Sequence, residues 1–67
     1  MTAEPIIIRV DATERPKLQA GDQVRQGQRL GSQSELDAVI SPVTGTVRSI
    51  CFDPRAHEFL ITVIPQG

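Results

Sequence analysis

The stretch GDQVRQGQRLG, residues 21–31, sets three glycines among short polar arms, with Gly21 and Gly27 six residues apart. A helix tolerates such glycines poorly, whereas tight reversals use their access to positive φ. The spacing therefore predicts turns between very short strands, with Val24 and Leu30 as the inward side chains. Gly21, Asp22, Gly27 and Gly31 are the expected turn residues. Asp22 has a sufficient role as an acceptor for turn amides.

The rest of the chain reads the same way. Residues 6–10 are β-branched apart from Arg9, and Pro5 precedes them where a missing amide donor is tolerable. Residues 16–19 read as extended. Residues 36–40 run from alternating to continuously apolar and predict a strand; a helix capped at Ser34 would stop within two turns at Pro42. Pro42 and Gly45 bound the next turn, residues 46–50 and 57–64 are strands, and Asp53 with Pro54 marks the loop between those two. The expected core draws on Val24, Leu30, Ile40, Val47, Ile61 and Val63.

Such a chain, 67 residues long, is expected to form one domain over 1–67, with about seven short strands and no helix. The predicted class is all-β, a compact barrel or sandwich. Net charge is −1, both signs are interleaved, and tyrosine and tryptophan are absent. No basic face with aromatic platforms exists for nucleic acid, so no nucleic-acid partner is expected. The N-terminal apolar run is too short for a signal peptide or a membrane span. The expectation is a soluble, cytoplasmic chain without direct membrane insertion.

The pattern Gly21-Asp22-x-Val24-x-x-Gly27-Gln28-x-Leu30-Gly31, followed by Ser41-Pro42-Val43-Thr44-Gly45-Thr46-Val47-x-x-Ile50, resembles the biotinyl/lipoyl superfamily of barrel-sandwich hybrids. It is most similar to the N-terminal domain of the Rnf electron-transport complex C subunit, which carries GDxVxxGQxIG and SPVSGTVxxI, and the likeness runs over residues 16–67. The resemblance implies a small barrel-sandwich hybrid, a flattened β-barrel, standing beside a redox or membrane-associated complex whose subunit would be its protein partner.

Carrier members of that superfamily hold biotin or lipoate on a lysine at an exposed hairpin tip. Here the corresponding tip is Gln33-Ser34-Glu35-Leu36, and the sole lysine, Lys17, lies ahead of the first motif glycine. Covalent carriage needs a nucleophilic amine, so an unmodified docking module without cofactor is the first expectation. A carrier-like subunit modified on Lys17 is the alternative. An efflux-adaptor piece is a third reading, but its usual long helical hairpin is missing. The favoured partner contact is the loop of Ser32, Gln33, Ser34, Glu35 and Leu36.

No residue set proposes catalysis, and the chain is not expected to be an enzyme. Cys51 alone cannot form an internal disulfide or ligate an iron–sulfur cluster. Between Ile50 and Phe52 it reads as a small buried hydrophobe, with an exposed thiol as the alternative. His57 reads as a solvated loop residue. Asp22, Glu35 and Asp37 do not make a persuasive carboxylate pair. Arg25, Arg29 and Arg48 read as solvated surface or as one face for an acidic partner. The Ile6-Ile7-Ile8 run puts apolar side chains on both faces of a strand, and at a sheet edge it would favour self-association.

Overall fold

The computed structural model describes residues 4–13, 15–32 and 38–66. Among them are six strands and no helix: β1 (Ile6–Asp11), β2 (Gln23–Val24), β3 (Arg29–Ser32), β4 (Ala38–Ile40), β5 (Gly45–Asp53) and β6 (Glu58–Pro65). The first sheet is antiparallel in the order β1-β6-β5-β2, and β3 pairs with β4 in a separate ladder. The larger sheet curls into a half-barrel. No helix among the described residues is long and apolar enough to cross a membrane.

Alternation along the strands builds the core. In β1, Ile8 and Val10 are buried while Ile7 and Arg9 face outward; in β6, Ile61 and Val63 are buried. With Val24, Leu30 and Val47 they form one cluster, against which Leu18, Val39, Ile50 and Phe59 pack. The cluster is aliphatic, as expected of a chain with two phenylalanines and no larger aromatic ring.

The repeated Gly-Asp and Gly-Gln turn out to be one turn used twice. Asp22 N–H donates to the Gln19 carbonyl and Gln28 N–H to the Arg25 carbonyl, at 3.1 and 2.9 Å. In return Gln19 N–H donates to Asp22 Oδ2 and Arg25 N–H to Gln28 Oε1. The third residue of each turn is a glycine with positive φ, 98° at Gly21 and 89° at Gly27, the signature of a type II turn.

Each turn then hooks onto a distant segment by the same exchange. Gly21 N–H donates to the Val47 carbonyl and Val47 N–H to the Asp22 carbonyl; Gly27 N–H donates to the Ser41 carbonyl and Ser41 N–H to the Gln28 carbonyl. The six-residue spacing is therefore the distance between two equivalent clamps, one closing on β5 and one on the segment after β4.

Several expectations need correcting. Residues 16–19 form no strand, which leaves six strands among the described residues where about seven were expected; Gln19 spends its amide and carbonyl on the Asp22 turn rather than on a ladder. Gly31 is not a turn residue: it lies within β3, where a Cβ would come 3.1 Å from the Val10 Cβ. Gly45 opens β5, and its requirement is space rather than turn conformation. Pro42 sits in a bend, and Gly21 and Gly27 lie in turns, the first of them closed by the Asp22 N–H.

Ile40 is not core but 53% exposed. A register shift at Leu30 puts Ile40 opposite Arg29, which is also exposed, and directs Leu30 inward instead. Cys51 is exposed rather than buried. A second shift at Arg48 pairs Val47 with Val63 but Ser49 with Thr62, so the inward parity changes along β5. Ile50 and Phe52 then share the inner face with Ile61 and Phe59, and Cys51 turns outward opposite Leu60.

Candidate docking surface

Leu18 is set between the β5–β6 hairpin and β3, with a cleft on each side. The cleft toward the hairpin, of about 300 Å³, is lined by Pro16, Leu18, Ala20, Ile50 and Phe59, with Arg15 and Gln19 at its polar rim. The cleft toward β3, of about 230 Å³, has Leu18, Leu30 and Gly31 together with Arg15, Lys17, Gln28 and Arg29. One segment thus separates an apolar groove from a cation-rich one.

Phe59, which lines the apolar groove, also meets a ring nearer the hairpin tip. Phe52 packs on Phe59 with ring centroids 5.4 Å apart, and on the edge of His57 at 5.9 Å. Phe52 is nonetheless 50% exposed. The tip is held by Asp53, whose Oδ1 accepts the Arg55 N–H at 2.9 Å, and by His57 in the left-handed region at φ 54°. The His57 carbonyl accepts the Ala12 N–H and so ties the tip to the end of β1. An aromatic face is therefore presented on a hairpin anchored at both its strands.

On the outer face, Arg9 reaches across the sheet to Glu58 on β6 at 3.5 Å and to Asp53 on β5 at 4.0 Å. Asp11 Oδ1 accepts both the backbone N–H and the hydroxyl of Thr13, each at 2.9 Å. These bonds hold its carboxyl below the ordinary carboxylate value, with a smaller contribution from His57.

The residues singled out from sequence are dispersed. Lys17 is exposed at the rim of the cation-rich cleft, ahead of the Gly21 turn. Arg25 lies in the second turn, Arg29 on β3 and Arg48 at the β5 bulge, all exposed and on three different elements. His57 is exposed, as expected of a loop residue. Ser32 ends β3, whereas Gln33, Ser34, Glu35, Leu36 and Asp37 lie outside the described residues. Phe52 carried no expectation from sequence; its position two residues after Ile50, beyond the bulge, was the signal that it shares the groove face. Compared with protein-family models, with curated proteins and with solved structures, the chain matches none of them.

Proposed function

We propose that this chain is a non-catalytic docking module of barrel-sandwich-hybrid type, which presents a rigid groove to a protein partner, in keeping with its likeness to the N-terminal domain of the Rnf complex C subunit. The observation that carries the reading is Phe52, half-exposed and packed on Phe59, which lines the apolar groove. Groove and ring are held by the two clamped turns and by the tied hairpin, so little order has to be gained on binding. Aromatic anchors in such settings dominate protein interfaces. Covering the exposed half of one phenylalanine contributes roughly 1 kcal/mol, and the neighbouring groove supplies the remaining apolar contact.

The chemistry of the partner follows from the groove: an apolar or aromatic side chain entering beside Leu18 and Phe59, with an acceptor placed toward Arg15. In the likeness, that partner is a subunit of a redox complex.

The test is a cross-linked capture from the host lysate with the wild-type chain and with Phe52→Ser, quantified by mass spectrometry that also weighs Lys17. The reading expects a redox-complex subunit retained by the wild type, depleted about fivefold with Phe52→Ser, a loss of about 1 kcal/mol, and Lys17 at its unmodified mass. Biotin or lipoate on Lys17 would replace docking with carriage. Capture indifferent to Phe52 would remove the groove.

A further inference from the structure

We infer that two copies of this chain associate edge to edge through β1, antiparallel, about a two-fold axis at Ile8. β1 is the end strand of its sheet and pairs only with β6 among the described residues. Its outer face carries Ile7, 62% exposed.

The ladder fixes which backbone groups are open. Ala12 N–H donates to the His57 carbonyl at 3.0 Å, one pair beyond Asp11 opposite Glu58. Hydrogen-bonded and non-hydrogen-bonded pairs alternate in an antiparallel ladder. Ile6, Ile8 and Val10 therefore turn their N–H and C=O toward β6, and Ile7, Arg9 and Asp11 turn theirs to the open side.

Exposed edges are commonly guarded by a charge, and the only cation on β1 is Arg9. Its guanidinium lies toward Glu58 and Asp53, over β6 and β5 and away from the open edge. The guard is turned inward across its own sheet.

A second copy of β1 fits this edge in a register selected by what covers Ile7. Keeping core-facing residues opposite core-facing residues leaves two central alignments. One sets Arg9 opposite Arg9 and Ile7 opposite Asp11 of the second copy, which leaves the exposed Ile7 facing a short carboxylate already engaged by Thr13. The other sets Ile8 opposite Ile8, Ile6 opposite Val10, and Ile7 opposite Arg9. In that register each Ile7–Arg9 pair exchanges both its open N–H and its open C=O, and the Asp11 N–H meets the carbonyl of Pro5, a residue that has no amide donor of its own. The arginine stem covers the exposed Ile7 of the other copy.

The experiment is sedimentation equilibrium of the full chain up to about 1 mM, the range of a weak contact, with Ile7→Lys and Ile7→Glu as variants. Position 7 is exposed, so both are expected to keep the strand spectrum of the wild type. The inference expects the wild type to approach twice the 7.3 kDa chain mass. Ile7→Lys, facing Arg9, is expected to raise the dissociation constant at least tenfold, whereas Ile7→Glu keeps or tightens the dimer. A wild type that stays monomeric overturns the inference, as does a dimer unaffected by either variant. A dimer retained by Ile7→Lys and lost by Ile7→Glu would pair position 7 with Asp11 and overturn the axis at Ile8; loss with both variants would overturn the Ile7–Arg9 pairing.

Discussion

Gly45 lies so close to Ile64 across the β5–β6 ladder that a Cβ on Gly45 would overlap the Ile64 carbonyl oxygen and come 2.9 Å from its carbonyl carbon. The obstacle is backbone within a paired strand, and no rotamer change relieves it. Gly45→Ala is therefore expected to cost about 1–3 kcal/mol, in the range of overpacked sites, and Gly45→Val no less. Urea midpoints read this directly; an unchanged midpoint for Gly45→Ala would show that β5 and β6 separate there at little cost.

Gly21 and Gly27 require glycine for the opposite reason. A Cβ at either would meet nothing within 4 Å, but their φ values of 98° and 89° are unfavourable for an L side chain. Alanine at each is expected to cost about 1–2 kcal/mol, and the two losses should be similar because the two clamps are equivalent. D-alanine, which favours positive φ and has room here, should instead match or exceed glycine in thermal midpoint by limiting the unfolded chain. Equal losses with both enantiomers would point to side-chain crowding and contradict the open space.

Ile61 and Ile40 would look interchangeable in a list of apolar residues, yet the first is fully buried and the second 53% exposed. Ile61→Ala is expected to cost about 2–5 kcal/mol, much of what so small a fold has. Ile40→Ala should stay within about 0.5 kcal/mol. Thermal melts of the two variants separate them, and comparable losses would put Ile40 back in the core.

What the sequence made legible depended on local chemistry. The β-branched run of β1 and the short apolar run of β6 announce strands, and the Gly-Asp and Gly-Gln pairs announce reversals, because conformation there is decided within a few residues. Cys51 was misplaced because one extra residue at Arg48 exchanges the two faces of β5 beyond it, and Ile40 because the bulge at Leu30 sets it opposite the exposed Arg29. The spacing of Val47 and Ile50, three apart where a regular strand would give two or four, was the trace of the bulge at Arg48. The edge position of β1 and the meeting of Phe52 with His57 and Phe59 had no local signal, since both depend on which strands become neighbours.

Asp11 closes β1 and gives the fold a dependence on acid. Its carboxylate accepts first the Thr13 backbone N–H and then the Thr13 hydroxyl, while His57 adds a smaller attraction, so it loses its charge below the ordinary 3.8. A carboxyl whose folded value is lowered adds stability that is fully present above the unfolded value and disappears as pH falls through the folded one. The contribution of Asp11 to the end of β1 is thus expected to be lost in that acidic window. Carboxyl-carbon chemical shifts give the check: Asp11 should titrate below 3.8 in the wild type. Thr13→Ala, which removes the hydroxyl but keeps the stronger backbone donor, should move the midpoint upward without reaching that value. A wild-type midpoint at 3.8 would mean that the Thr13 bonds do not hold in solution; a full return in Thr13→Ala would give the hydroxyl the larger share.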